Sequence, residues 1–296
     1  MELPLDVPLG ATLEYSPGSK NKPGIVLMHG SGPLNRDCKM PVGLAGIHPF
    51  RHLSKALAER GFVVLRYDKR SFYAMENNKK SMLPDLTPER FAKDAAVACQ
   101  TLSRQPEVDP KRVFLVGHSM GGTLSPWVAK ETKLAGVVML APGLLSFRKQ
   151  VEYQLDYQIG LMEEQNKFGL MNSKIESTKE VRTQYRELFA RLDQPGIKDS
   201  DVMGGATVQF YRQYDDMGGR FLEEARKMTI PVLLINGTAD LKCPEQLLRS
   251  KESALKSNPN LTIEYRDGMS HELYLNNYLQ FDTGVAGAIA DWVKSL

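Results

Sequence analysis

The sequence predicts an α/β protein with a mostly parallel central sheet and helices on both of its faces. Short apolar runs alternate with longer segments in which apolar residues recur every three or four positions. The runs have the length of strands buried on both faces, and the longer segments have the spacing of helices with one apolar side. With 42% hydrophobic and 25% charged residues among 296, the chain also has the composition of a globular protein with a full core.

The individual elements follow from these patterns in chain order. Strands are predicted at residues 24–29, 62–67, 112–117, 136–141, 230–236 and 261–265. Helices are predicted at residues 49–60, 88–103, 120–130, 244–257 and 277–296. Thr87 stands where the second helix needs an N-cap, and Glu89 lies in its first turn, which is typical of a helix start.

One segment, residues 147–227, interrupts the alternation. It shows helical patterns without a convincing strand, and it holds ten of the chain's aromatic residues (11 Tyr, 11 Phe and 2 Trp in all). We therefore expect a core formed by residues 1–146 and 228–296, with residues 147–227 inserted as a helical cap over a pocket, because ligands bind at the loop ends of such sheets. The alternative is that the aromatic side chains only attach the insertion to the sheet.

Charge and cysteine content exclude several classes of partner. The 38 basic and 35 acidic residues leave a net charge of +3, which does not indicate nucleic acid binding. Three widely spaced cysteines predict reduced thiols. The sequence shows no metal-ligand spacing and no phosphate-binding glycine motif, so we expect no metal and no cofactor. The N-terminus lacks signal-peptide features and no apolar run is long enough to span a bilayer, which favours a cytoplasmic protein without membrane contact.

The sharpest local signal is the pattern G-x-S-x-G at residues 117–121 (GHSMG). It falls between a predicted strand and a predicted helix, where a nucleophile elbow places a reactive serine. Such a turn needs small neighbouring residues, and the helix that follows it favours nearby negative charge. We therefore predict that Ser119 is a nucleophile rather than part of an ordinary tight turn. His118, inside the motif, is expected to be packed in the core.

A serine nucleophile needs a base, and the chain has five histidines. Folds with this elbow carry the serine, the acid and the histidine in that order, and only His271 follows Ser119. We predict Asp240 as the acid because it follows a strongly apolar run through a short turn, from which it can accept a hydrogen bond from His271. Asp267 is the runner-up, but its place four residues before the histidine suits a loop-ordering role better.

Two backbone N–H groups are needed to bind the oxyanion of the reaction. Met120 follows the nucleophile and supplies one of them. The turn at residues 29–33 (HGSGP) has two glycines that allow a close approach, and we expect the second donor there, with Ser31 as first choice and Gly32 as second.

Two nearby charged groups are expected to order loops by ion pairing: Asp68 with Lys69 and Arg70, and Arg36 with Asp37.

With these features the chain resembles the α/β-hydrolase superfamily from about residue 22 to the C-terminus. It resembles most closely the bacterial carboxylesterases related to dienelactone hydrolases and serine aminopeptidases, which share stretches like residues 29–37, 65–70 and 105–110. The resemblance implies an α/β-hydrolase fold and the site residues Ser119, Asp240, His271, Ser31 and Met120. Residues 71–74 (SFYA) depart from the family's usual continuation, a difference that concerns the choice of substrate.

These observations predict a serine hydrolase that cleaves small-molecule carboxylic esters, with short acyl or aryl groups, through an acyl-enzyme. A rival reaction is aminopeptidase-like amide cleavage by the same triad. It would need an acidic group in the cap to hold the substrate's amine, for which four residues are candidates: Glu163, Glu164, Asp215 and Asp216. A hydrolase-fold binding protein without catalysis is the least favoured alternative.

Overall fold

A seven-stranded sheet forms the centre of the structure, a computed structural model that describes residues 1–18, 20–40 and 46–296. The strands of the described chain are β1 (Ala11–Glu14), β2 (Lys22–Met28), β3 (Val63–Tyr67), β4 (Val108–His118), β5 (Gly136–Leu140), β6 (Val202–Met203), β7 (Ala206–Thr207), β8 (Val232–Gly237), β9 (Leu261–Arg266), β10 (Tyr274–Leu275) and β11 (Gln280–Phe281). The large sheet has the order β1-β3-β2-β4-β5-β8-β9. Only its edge strand β1 pairs antiparallel, with β3, and the other neighbours are parallel.

Helices separate most of these strands along the chain. They are α1 (Pro49–Ala58), α2 (Arg70–Glu76), α3 (Pro88–Ser103), α4 (Met120–Glu131), α5 (Phe147–Gln165), α6 (Asn172–Leu192), α7 (Val208–Arg226), α8 (Glu245–Leu255) and α9 (Thr283–Ser295). A 3-10 turn covers Lys80–Asp85.

The central strands are buried on both faces. In β2, Val26 points into a hydrophobic cluster with α3, α4 and α8, whereas its neighbour Ile25 points into a second cluster with α1 and α9. Side chains alternate between the two faces of a strand, so each cluster covers one face of the sheet. The predicted α/β architecture with helices on both faces is therefore confirmed.

Each predicted strand of the sheet is present, with shifted ends. The largest shift is in β4, which begins at Val108 rather than residue 112, because Val108 pairs with Lys22 of β2 before the register shifts. The helix predicted at residues 88–103 has the expected bounds. Its N-cap is Thr87, whose Oγ1 accepts a hydrogen bond of 3.2 Å from the Arg90 amide.

The prediction of a closing helix from residue 277 was wrong over its first six residues. The positive φ angles of Asn277 (53°) and Tyr278 (72°) exclude an α-helix there, and residues 276–279 connect β10 to β11. The helix α9 begins at Thr283 after its cap Asp282, whose side chain accepts a hydrogen bond from the Gly284 amide at 2.9 Å. The edge strand β1, the helix α2 and the 3-10 turn were not predicted.

Residues 147–227 are mainly helical, with a short connection between α5 and α6 and a longer one, residues 193–207, between α6 and α7. The two-residue strands β6 and β7 form a small hairpin that the sequence patterns did not indicate. None of the helices in the described part of the chain combines the length and apolar composition that crossing a lipid bilayer requires.

Cys38, Cys99 and Cys243 are buried, and none of them is bonded to another cysteine. Burial raises the pKa of Cys38 and of Cys99 to about 12. These two thiols are therefore protonated at neutral pH.

Candidate active site

Ser119 occupies a sharp turn between the end of β4 and the start of α4. Its backbone has φ 54° and ψ −119°, a conformation that side-chain-bearing L residues rarely adopt. Its amide donates a hydrogen bond of 2.8 Å to the Leu140 carbonyl of the neighbouring strand β5. The turn is thus tied to the sheet, and strain of this kind is common at functional sites.

The motif glycines are required by close backbone contacts. A Cβ atom on Gly117 would lie 2.4 Å from the Gly121 carbonyl oxygen, and one on Gly121 would lie 2.6 Å from the carbonyl oxygens of Met28 and His29. The serine turn is therefore wedged against the end of β2. This contact brings residue 119 beside the loop that follows β2.

Asp240 and His271 form a buried hydrogen-bonded pair on the loops after β8 and β9. His271 Nδ1 donates to Asp240 Oδ2 at 2.8 Å, and the two residues are 4% and 1% exposed. The other carboxylate oxygen, Oδ1, accepts from the amides of Lys242 (2.8 Å) and Cys243 (2.7 Å). The aspartate is therefore fixed by its own loop, and it leaves His271 Nε2 free to act as a base.

Asp267, the alternative acid, has a different partner. Its Oδ1 accepts a hydrogen bond of 3.1 Å from the Thr238 hydroxyl at the exposed surface. Thr238 Oγ1 in turn accepts from the Gly268 amide at 2.8 Å. Asp267 thus joins the two loops, in line with the loop-ordering role expected for it.

His118 joins the serine turn to the histidine loop. Its side chain is 3% exposed, and Nε2 donates to the His271 carbonyl at 2.7 Å. The two imidazole rings lie 4.8 Å apart between centroids. Burial, and secondly the proximity of His271, lower the pKa of His118 to about 3, so it is neutral. The expectation that His118 is packed is correct, and the contact places the His271 loop next to Ser119.

The turn expected to supply the oxyanion donors also meets the serine. A Cβ atom on Gly30 would lie 2.9 Å from Ser119 Cβ and 3.4 Å from its Oγ. Ser31 and Gly32 follow and are exposed, Gly32 with φ 88°. Met120, the source of the other expected donor, is the first residue of α4, where backbone N–H groups lack helical partners. The structure therefore brings the expected donor positions and the serine into one place.

The charged residues around this turn order it by ion pairing, as expected for most of them. The Arg36 amide and Nε both donate to Asp68 Oδ1, at 2.7 and 3.1 Å. Arg70 is fully buried and binds Asp94 at 2.7 Å and Asp6 at 2.8 Å. Arg36 and Asp37 were predicted to pair with each other, and this was wrong: Asp37 pairs instead with Arg66 of β3. Lys69 contacts the Gly30 carbonyl rather than a carboxylate.

An ion pair that was not predicted, between the half-exposed Lys242 and the buried Glu272, connects the acid loop to the histidine loop. Lys242 Nζ donates to Glu272 Oε1 at 2.7 Å, and the Glu272 side chain is 4% exposed. Burial alone would raise the pKa of Glu272, but the charges of His271 and Lys242 lower it to about 2. The only sequence signal was that each partner stands within two residues of a predicted triad member.

The inserted segment contacts both sides of this site. The Tyr214 hydroxyl of α7 lies near the side chains of Ser31 and Thr123, which oppose in part the rise that burial causes in its pKa. On α5, Gln150 Nε2 donates to the Lys242 carbonyl at 3.2 Å, and Gln158 Nε2 donates to the Leu241 carbonyl at 3.0 Å. The first contact reaches the oxyanion turn and the other two reach the loop of Asp240.

Within the described residues, Asp240, Cys243 and His271 place possible metal-binding atoms within 4.8 Å of one another. Sequence spacing did not indicate this set, because its members come from two loops. Asp240 Oδ2 and His271 Nδ1 are already hydrogen bonded to each other, which is the arrangement of an acid–base pair. The expectation of a site without metal stays a prediction.

The arrangement described above defines the class of the protein. A mostly parallel sheet with a serine on a strand-to-helix turn, followed in the chain by an acid and a histidine, is the α/β-hydrolase arrangement. A family model described as "serine aminopeptidase, S33" matches residues 47–277. The chain therefore belongs to this family of α/β hydrolases, in agreement with the resemblance noted from the sequence.

Individual relatives agree with this membership. The chain is 32% identical over 255 residues to esterase EstD of Thermotoga maritima, a match that covers 86% of this chain and 55% of the relative. The chain thus spans about half the length of that curated relative.

Similar solved structures cover nearly the whole chain. Est1E from Butyrivibrio proteoclasticus has a TM-score of 0.62 at 17% identity, over 100% of this chain and 97% of that one. A Paleococcus ferrophilus monoacylglycerol lipase has a TM-score of 0.55 at 18% identity, over 98% and 99% of the two chains. The acylaminoacyl peptidase of Pyrococcus horikoshii has a TM-score of 0.58 at 15% identity, over 98% of this chain and 40% of that one. These similarities show the fold.

Proposed function

We propose that the protein is a serine hydrolase of carboxylic esters in which Ser119, His271 and Asp240 act as a triad. The observation that carries the proposal is the buried hydrogen bond of 2.8 Å between His271 and Asp240, with the His271 carbonyl bound to His118 of the serine turn. A tight turn or a buried His–Asp pair can each serve structure alone, whereas their combination is what acyl transfer needs. The esterase relative favours esters among the acyl substrates.

The reaction has two steps, acylation of the serine and hydrolysis of the acyl-enzyme, and each member of the site acts once in each step. His271 Nε2 takes the proton of Ser119 Oγ as this oxygen attacks the ester carbonyl carbon. The carbonyl electron pair moves to oxygen, and the oxyanion is bound by the N–H groups of Met120 and Ser31, with Gly32 as the alternative to Ser31. Collapse expels the alcohol, which His271 protonates, and leaves Ser119 acylated. Water then attacks by the same path and releases the carboxylic acid.

Residues 147–227 act as the cap of this site. The support is that α7 reaches the oxyanion turn through Tyr214 and that α5 contacts the acid loop. Behind Tyr214 lies an aromatic cluster in which Phe147 stacks on Tyr214, with 4.9 Å between ring centroids, and on Tyr211, with 6.0 Å. An apolar cap favours short acyl or aryl esters as substrates.

Amide cleavage is the second candidate because the family is described by an aminopeptidase. It would require a free carboxylate in the cap to bind the substrate's amine. Three of the four acidic candidates are neutralised by partners: Glu163 by Lys179, Asp215 by Arg148 and Asp216 by Arg220. This pairing favours esters over amino-terminal amides.

A panel of chromogenic substrates separates the two reactions. We expect hydrolysis of p-nitrophenyl acetate and butyrate, slower hydrolysis of the octanoate, and no cleavage of an aminoacyl p-nitroanilide. The Ser119→Ala variant, which keeps the turn's geometry, is expected to lose the ester activity. Anilide cleavage without ester cleavage would favour the peptidase, and full activity in Ser119→Ala would contradict the triad.

A further inference from the structure

Lys69 is a buried amine that, among the residues the structure describes, has no carboxylate partner in an otherwise paired stretch. It follows β3 and is 5% exposed. Its neighbours Asp68 and Arg70 form ion pairs, whereas the ion pairs found among the described residues do not include Lys69. Its ammonium lies 4.4 Å from the centre of the Phe91 ring and donates a hydrogen bond of 2.6 Å to the Gly30 carbonyl. Burying an ammonium group costs free energy, so a role beyond packing is expected.

The acceptor of this hydrogen bond belongs to the peptide that carries the Ser31 N–H. The Gly30 carbonyl and the Ser31 amide are the two ends of one planar unit, and the described residues contain no cis peptide bond. In a trans peptide the C=O and N–H bonds point in opposite directions. Lys69 binds the carbonyl from the buried side, so the amide points toward the exposed side of the turn, where Ser31 lies.

We propose that Lys69 is a positioning residue for the oxyanion-binding turn: by holding the Gly30 carbonyl, it orients the Ser31 N–H toward the oxyanion formed beside Ser119. Gly30 lies beside Ser119, since a Cβ atom added to Gly30 would be 2.9 Å from the Cβ of Ser119. This peptide is therefore next to the reacting atoms. A cationic hydrogen bond to the carbonyl also polarises the peptide and makes its N–H a stronger donor. The inference rests on the proposed ester hydrolysis.

The charge on Lys69 is sensitive to pH near neutrality. Burial lowers the pKa of Lys69 to about 7, and Cys38 opposes this only in part. Two titratable groups interact electrostatically with it and stay neutral in this range: burial lowers the pKa of His29 to about 3 and raises that of Cys38 to about 12. Three other groups line the same small cavity as Lys69: Tyr67, whose pKa is raised well above its usual value by burial, and the paired Arg70 and Asp94.

The test compares Lys69→Met with Lys79→Met in the full chain. Lys79 also lies over an aromatic ring, that of Tyr73, and donates to its hydroxyl, but it is exposed and lies between helix α2 and the 3-10 turn. We expect Lys69→Met to lower kcat for p-nitrophenyl butyrate by about 10- to 100-fold with KM changed less than about twofold, because the donor acts on the transition state. Lys79→Met is expected to match the wild type.

The pH dependence supplies the readout that a structural role would not change. The ratio of wild-type to Lys69→Met kcat is expected to fall by about tenfold between pH 6 and pH 9, as the lysine loses its proton. The ratio cancels the titration of groups that the two proteins share. If Lys69→Met does not fold, Lys69→Gln, which keeps an N–H donor without the charge, is compared in the same way.

The outcomes separate this inference from the function on which it rests. If the wild type is active, two results would overturn the role of Lys69 and leave the triad intact. One is an equal kcat in Lys69→Met, and the other is a ratio of wild-type to variant kcat that does not change with pH. A wild type without ester hydrolysis would overturn both.

Discussion

Gly121 shows at the scale of single residues how closely the serine turn is packed. A Cβ atom there would meet two backbone oxygens of β2 and its loop at 2.6 Å, and backbone atoms cannot move aside as a side chain can. We expect Gly121→Ala to lower the free energy of unfolding by about 1–3 kcal/mol. Gly287→Ala in α9, with no atom within 4 Å of the new Cβ, should instead raise it by roughly 0.5–1 kcal/mol. Urea unfolding of both variants checks this, and equal midpoints would contradict it.

The choice between the two candidate acids is also decided at a single residue. Asp240→Asn removes the carboxylate that holds His271 Nδ1, and we expect kcat/KM for p-nitrophenyl butyrate to fall roughly 10³- to 10⁴-fold. Asp267→Asn changes a residue bound only to Thr238 and is expected to remain within about twofold of the wild type. A larger loss in Asp267→Asn than in Asp240→Asn would reverse the assignment.

Glu272 makes the free energy of unfolding depend on pH in the acidic range. Its pKa of about 2 lies below the ordinary value of 4.5, so the folded protein binds fewer protons than the unfolded chain between these limits. The stabilisation from Glu272 is therefore complete above about pH 4.5 and is lost as the pH falls toward 2. We expect the stability difference between wild type and Glu272→Gln to shrink by about 3 kcal/mol over this interval. Denaturant unfolding at pH 7, 4.5 and 3 measures it, with about 2 kcal/mol of the change expected by pH 3, and a constant difference would exclude this role.

At the scale of elements, one hydroxyl of α7 links residues 147–227, the proposed cap, to the oxyanion turn. Tyr214 and Tyr211 both stack on Phe147, but only the Tyr214 hydroxyl reaches Ser31, whereas that of Tyr211 bonds to carbonyls of Met203 and Gly204 within the cap. We expect Tyr214→Phe to lower kcat/KM for the butyrate ester by about 5- to 10-fold, because it removes the polar group that approaches Ser31. Tyr211→Phe should leave it unchanged, and equal effects would show that the cap does not act through this contact.

The elements themselves could be predicted where one physical signal dominates. The sheet strands are apolar runs because both of their faces are buried, and α3 has the expected bounds because Thr87 and its first turn mark the start. The edge strand β1 has only four residues, and it pairs with β3, which lies far from it in the sequence. Local periodicity gives no sign of such a pairing. The turn between β10 and β11 depends on positive φ angles in asparagine and tyrosine, which sequence patterns do not indicate.

At the scale of the whole molecule, the parallel sheet is what gathers the site. Four loops at the carboxyl ends of β2, β4, β8 and β9 carry the residues proposed as oxyanion turn, nucleophile, acid and base. These residues could be predicted as candidates because each follows an apolar strand and because they occur in a fixed order along the chain. The supporting contacts were not, because Lys69 with Gly30, Lys242 with Glu272 and Tyr214 with Ser31 join positions that only the folded chain brings together.

The most direct test of the triad is to map the residue that a reactive fluorophosphonate modifies, since this reagent forms a stable bond to an activated serine. The wild-type protein and Asp240→Asn are incubated with the reagent, and the modified peptide is identified by mass spectrometry. The triad predicts a single adduct on Ser119 in the wild type and labelling at least about 100-fold slower in the variant. An adduct on another residue, or equal labelling rates in the two proteins, would contradict the assignment of Ser119, Asp240 and His271.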